Sequence, residues 1–98
     1  SKIMQYILSG WDGKDEQALE RRMSARPSHF RNAAELKRKG HFIFGGAILD
    51  DQGKMIGSTM IMQFENENQL QEWLNTEPYI TAKVWEKYEI LPFRVAEV

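Results

Sequence analysis

Apolar positions along this chain follow two rhythms, one alternating and one of helical period, and their order predicts the elements. Ile3 to Leu8 is mostly apolar and runs into Ser9-Gly10 and the turn signal Asp12-Gly13, which reads as a first strand. Asp15 and Glu16 then place acid at a helix start, Leu19 and Met23 follow four residues apart, and Lys37-Arg38-Lys39 before Gly40 mark its end. Pro27 falls in the middle of that stretch. It lacks an amide hydrogen and crowds the preceding turn, so a kink or break is expected, with helix resuming at Pro27 and His29 in the first turn of the second segment. Phe30, Ala33 and Leu36 would be the inward stripe there. Residues 42–49 and 55–64 flank Asp50-Asp51-Gln52-Gly53 as a hairpin with a glycine-containing loop. Residues 65–75 read as a helix with Leu70, Trp73 and Leu74 inward, and Pro78 opens a helical turn reaching Val84 and Trp85. Residues 88–97 form a last strand, where Pro92 marks an edge or a bulge.

The order β, α, β, β, α, β is the ferredoxin-like α+β arrangement, a four-stranded antiparallel sheet with helices on one face. The other face of such a sheet is normally polar. Here Phe42, Phe44 and Ile48 alternate with Ile43, Ala47 and Leu49, and Met60 and Met62 alternate with Thr59 and Ile61. Both faces of the hairpin are therefore apolar, and leaving either in water forgoes about 1.5–3 kcal/mol for each large side chain. A homodimer with two sheets packed face to face, burying on the order of 800 Å² per partner, is the expected cover. The alternative is a monomer with an adhesive sheet.

Ninety-eight residues allow one domain, residues 1–98, around one core. The chain has no cysteine, which removes disulfides, thiolate nucleophiles and cysteine-based metal sites and fits a reducing cytoplasm. Apolar runs fall far short of a membrane span, and the segment after Ser1-Lys2 reads as a strand and not as a signal peptide. Charge is uneven: residues 1–40 hold nine Lys and Arg against five Asp and Glu, and residues 41–98 hold four against nine. Arg21, Arg22, Arg31, Lys37, Arg38 and Lys39 lie beside Glu20 and Glu35 on the predicted helix, and a solvated helix surface explains them better than a nucleic-acid face.

Two phrases carry the candidate chemistry: Arg26-Pro27-Ser28-His29 and Thr76-Glu77-Pro78-Tyr79. A neutral imidazole oriented by a carboxylate moves protons at neutral pH, and His29 with Glu77 would supply it. In the first turn after Pro27, the positive end of the helix dipole would favour the neutral, proton-accepting ring. The plainer alternative is a helical histidine packed on the sheet. Glu77 before Pro78 stands at a helix N-cap, where glutamate is a poor capper and Thr76 an alternative one. Arg26, three residues before His29, offers a fork for a carboxylate or oxyanion, although pairing with a glutamate is the commoner fate. Tyr79 offers a hydroxyl to substrate or is an amphipathic core residue, and Ser58 after Gly57 offers a hydrogen bond without an activating base. Gly45-Gly46 permit close packing, since no phosphate-binding pattern surrounds them. His41 lies twelve residues from His29 without metal-ligand spacing, so no metal or organic cofactor is expected.

Arg26-Pro27-Ser28-His29, Gly45-Gly46, Gly57-Ser58-Thr59 and Thr76-Glu77-Pro78-Tyr79, in this order and nearly end to end, resemble the YciI-like (YCII-related) family within the dimeric α+β barrel group. The resemblance implies an acid–base pair made by the histidine of the first phrase, His29, and an aspartate of an Asp-Pro-Tyr phrase. This chain departs from that pattern with Glu77, whose extra methylene lengthens its reach. The expected activity is proton transfer beside a carbonyl, or an elimination or isomerisation, on a small oxygenated or aromatic molecule. The rivals are a ligand-binding or sensing dimer that turns nothing over, and a structural domain that offers its acidic C-terminal half to a partner.

Overall fold

The computed structural model describes residues 3–98; Ser1 and Lys2, which precede the first expected strand, lie outside the described residues. The elements are β1 (Met4–Asp12), α1 (Ala18–Arg38), β2 (Phe42–Leu49), β3 (Met55–Phe64), α2 (Glu67–Leu74), α3 (Pro78–Thr81) and β4 (Trp85–Phe93). The strands form one antiparallel sheet in the order β2-β3-β1-β4. This is the ferredoxin-like arrangement, with β4 and β2 at the edges. Pro92 sits on edge strand β4, where its missing amide costs the ladder least. In the β2-β3 loop, Asp50 Oδ1 accepts from the amides of Gln52 and Lys54, both at 2.9 Å, and Gly53 takes the left-handed φ of +82° that closes the turn.

Several boundaries differ from the expectation, among them the end of β4, which stops at Phe93 and not at residue 97. Strand β1 continues through Ser9 and Gly10 to Asp12, because β3 and β4 pair with it on both sides and outweigh the local turn signal. Helix α3 ends at Thr81, Lys83 turns the chain at φ +57°, and Val84 and Trp85 leave the helix so that Trp85 opens β4. Helix α1 runs unbroken through Pro27 for 21 residues. Pro27 is exposed, so the Met23 carbonyl that loses its amide partner lies where water can replace the bond.

The continuity of α1 also resets its inner face. Ala18, Arg22, His29 and Leu36 are the buried residues, whereas Leu19, Met23 and Phe30 are exposed. A 3.6-residue period puts either set on one stripe, and the choice between them is a rotation of one residue. Packing selects the stripe that carries Arg22 and His29, since both find partners inside.

Between the helices and the sheet, Tyr6, Leu8, Met60, Met62 and Phe64 meet Leu36, Leu70, Trp73, Tyr79, Val84 and Trp85 in one core. Trp85 lies across β1 at Gly10, where a Cβ would stand 2.5 Å from the indole ring. On the opposite face the register places Phe44, Ile61, Ile7 and Leu91 side by side across all four strands. A bulge between Phe42 and Phe44 sends the two rings to opposite faces, which strict alternation along the hairpin had placed together. Phe44 is 61% exposed and Leu91 51%.

Replacing Gly10 with Ala should destabilise the fold by about 1–3 kcal/mol, because the new methyl meets the indole. Gly46→Ala, which meets nothing within 4 Å, should stay within about 0.5 kcal/mol. Urea unfolding of both variants checks the contrast.

Candidate functional site

Helix α1 presents Arg22, Arg26 and His29 at spacings of four and three, on the face turned toward the β2-β3 hairpin. Beneath them β2 contributes Gly45, Gly46 and Ala47, whose small size leaves a cavity of about 350 Å³ between helix and sheet. Phe30, Phe42, Met55 and Met60 make most of its wall apolar, and Arg22, Arg26, His29, Ser58 and Tyr79 bring the polar groups to it. Of the five candidate residues, His29, Arg26, Ser58 and Tyr79 line this cavity, and Glu77 stands behind His29.

Glu77 is fully buried. As the residue before Pro78 it is the N-cap of α3, and its Oε1 accepts from the Tyr79 amide at 2.9 Å. The same oxygen meets His29 Nδ1. Capping and contact with the imidazole are thus one interaction and not alternatives. Thr76 does not cap: its hydroxyl donates to the Trp73 carbonyl at 2.8 Å. A carboxylate oxygen accepts from a ring N–H at Nδ1, and Nε2 has no partner among the described residues. The Tyr79 ring stacks on the imidazole at 3.8 Å and 7°, and Trp85 meets it edge-on at 6.2 Å, which fixes the plane of the ring. His29 sits mid-helix, so the dipole of an N-terminus does not act on it as the broken-helix reading had it.

A second buried cluster was not recognised in the sequence. Arg22, assigned there to the solvated surface, is buried, and its Nη1 donates to both oxygens of Asp12 at 2.9 and 3.0 Å. Its Nη2 donates to the Gly57 carbonyl at 3.0 Å and to Ser58 Oγ at 2.7 Å. Trp85 Nε1 reaches the same hydroxyl at 3.3 Å. Arg22 also lies 4.9 Å from the centre of the Tyr79 ring. The available signal was spacing: Arg22 stands seven residues before His29 and shares its face. Asp12 was hidden because Asp-Gly reads as a turn.

Arg26 finds no glutamate. Its guanidinium lies 4.5 Å over the Phe30 ring, and it forms no ion pair among the described residues. Burial pushes the Tyr79 phenol above the ordinary value of 10.0, although the Arg22 and Arg26 charges pull it down. The phenol therefore remains a protonated donor through neutral and mildly alkaline pH. Taken together, the cavity offers a lone pair at His29 Nε2, cationic and hydroxyl donors, and apolar walls.

A family model described as the YCII-related domain matches residues 4–94. The chain belongs to this family. Protein YciI of Escherichia coli O6:H1 is 32% identical over 97 residues, which covers 93% of this chain and 97% of that protein. The fold of this family member is similar to that of 5-chloro-2-hydroxyhydroquinone dehydrochlorinase from Burkholderia phenoliruptrix, solved in complex with 2,5-dihydroxybenzoquinone: TM-score 0.78, 18% identity, 95% of this chain and 96% of that one. It is also similar to a dimeric ferredoxin-like protein from Jannaschia, with TM-score 0.58, 14% identity and coverage of 94% and 99%. At such identities the two structures establish the fold. No helix among the described residues is long and apolar enough to cross a membrane, and they hold no cluster of three or more metal-ligating side chains.

Removing either partner of the Asp12–Arg22 pair leaves a buried charge unmatched, and Asp12→Ala or Arg22→Met should each cost about 3–5 kcal/mol by chemical denaturation. The double replacement should cost less than the two together. Because the folded-state pKa of Tyr79 is raised, its contribution to stability is complete below the ordinary value and is lost as pH rises through the raised one. Stability measured against alkaline pH should therefore fall less steeply in Tyr79→Phe than in the wild type.

Proposed function

We propose that this chain is a small acid–base enzyme in which His29 Nε2 exchanges a proton with a carbon or hydroxyl beside a substrate carbonyl. The observation that carries this reading is the buried Glu77 carboxylate on His29 Nδ1, behind a ring that lines the cavity. Glu77 holds the tautomer and offsets the charge on the imidazolium when the base is loaded. The oxygen that gains charge is met by donors at the wall, Ser58 and Tyr79, with Arg26 at hand for an anionic substituent. Apolar walls and stacked rings suit a small planar molecule; return of the proton to a different atom gives isomerisation, and departure of an anionic leaving group from the adjacent carbon with the electron pair gives elimination. The complex of the dehydrochlorinase supports the same substrate class and supplies a probe.

We further propose that the working unit is a homodimer. Phe44 and Leu91 stand exposed at the two edges of the sheet face turned away from the helices, with Ile7 half-buried between them, and a second copy of the sheet covers them. The dimeric neighbour supports this assembly. Leu91→Glu should shift sedimentation from dimer to monomer, whereas a change at an exposed position of α1 such as Arg31→Ala should not.

Proton exchange tests the chemistry directly. In deuterated water, wild type should speed hydrogen–deuterium exchange beside the carbonyls of a panel of small cyclic ketones and hydroxyquinones, followed by NMR. His29→Ala should lose about 10²- to 10⁴-fold. Exchange unchanged in His29→Ala would remove the base from the scheme. Binding of 2,5-dihydroxybenzoquinone without any exchange would instead favour a ligand-binding dimer, a reading that the apolar cavity also fits.

A further inference from the structure

Ser58 has a hydrogen-bond polarity that its surroundings leave no freedom to change. Its Oγ lies 2.7 Å from Arg22 Nη2 and 3.3 Å from Trp85 Nε1. A guanidinium and an indole nitrogen only donate, so the direction of both bonds is settled by chemistry and not by the placement of hydrogens. A serine oxygen has two lone pairs and one proton. Both lone pairs are taken. The hydroxyl proton is what remains, and among the described residues no acceptor takes it.

The surroundings of the residue direct that proton to the cavity. Ser58 is buried, with the Trp85 indole over Gly10 beside it, and its sheet neighbours Gly10 on β1 and Ala47 on β2 put no long side chain of their own between it and the cavity. It lines the cavity that His29 also lines. Arg22 is itself committed: Nη1 to the two oxygens of Asp12, and Nη2 to Gly57 and Ser58. Its Nε is buried and has no partner among the described residues, so the cation bears on a ligand in the cavity through the serine hydroxyl and through its own charge. A hydroxyl whose oxygen accepts from a cation is a stronger donor than a free one, because polarisation runs along the chain of bonds.

We propose that Arg22, anchored by Asp12, is a positioning residue that makes Ser58 an obligate donor, so that the cavity selects ligands presenting a negatively charged or strongly accepting oxygen at that point. Phenolates, enolates and enolisable carbonyls fit best; a ligand that presents only an N–H there meets a second donor and is refused. The inference deepens the proposed site by naming the ligand chemistry. It rests on the cavity being the ligand site and not on His29 acting as a base.

The test uses three anions of nearly equal shape and graded oxygen basicity: 4-nitrophenolate, 2-fluoro-4-nitrophenolate and 2,6-difluoro-4-nitrophenolate. They are titrated by absorbance at a pH where all are ionised. In the wild type affinity should rise with basicity, as donation to the oxyanion requires. Ser58→Ala should flatten the trend and weaken the most basic ligand by about 10- to 100-fold. Arg22→Lys, shown to be folded by circular dichroism, should also flatten it, since an ammonium cannot hold Asp12, Gly57 and Ser58 in one fork. Should Arg22→Lys not fold, Trp85→Phe frees one lone pair of Ser58 and should give an intermediate slope. Arg31→Ala, exposed on α1 and outside the cavity lining, should keep the slope, and because the readout is binding and not proton exchange the result is separate from the fate of the acid–base reading. A slope that survives Ser58→Ala, a slope lost equally in Arg31→Ala, or no binding of any of the three by the wild type would overturn the proposal.

Discussion

One buried carboxylate oxygen ties the site to the fold. Glu77 Oε1 terminates the first turn of α3 through the Tyr79 amide and meets the imidazole of α1. Both partners fall on Oε1, while Oε2 is buried without one among the described residues, so the docking of the two helices depends on this single oxygen. The stacking of Tyr79 on His29 follows from the same docking, because the amide and the ring belong to one residue. Glu77 reaches both partners with one oxygen, the Tyr79 amide at its own helix start and the ring on α1.

The second constraint is steric. A cavity persists inside a small domain only where the side chains that would fill it are missing, and Gly45, Gly46 and Ala47 are missing side chains in that sense. At Gly45 the strand leaves no space at all, since a Cβ would stand 2.6 Å from the Thr59 carbonyl. Gly10 admits the Trp85 indole in the same way, and the indole then contacts both His29 and Ser58. Small residues thus define the cavity on one side and position its aromatic wall on the other. The Asp12–Arg22 pair is a costly way to fill the floor, since an apolar pair of equal volume is often as stable or more so. On the proposal above, what the pair supplies instead is the hydrogen-bond polarity of Ser58.

Much of this was legible in the chain. The hairpin 42–49 and 55–64 has the boundaries that alternation and a glycine loop predict, because a tight turn and two strands are local matters. Helix α2 buries Leu70 and Trp73 as their spacing requires. His29 and Glu77 were marked by type and by their phrases, and they lie together. What local reading missed has a common cause. Pro27 was expected to break a helix that contacts at both ends hold together, and Phe30 was expected inside where Arg22 lies instead. Hydrophobicity points the wrong way when polar residues are buried in pairs.

Composition and periodicity determined the order of strands and helices, the apolar faces of the sheet and the short inventory of groups able to move a proton. Backbone preference and side-chain period act over a few residues, so a single sequence displays them. Only the tertiary structure decided which stripe of α1 turns inward, that Asp12 meets Arg22, and that Ser58 receives two donors. Those outcomes depend on residues such as Asp12 and Ser58, separated by dozens of positions, competing to satisfy one another away from water, and nothing near either of them in the chain encodes that competition.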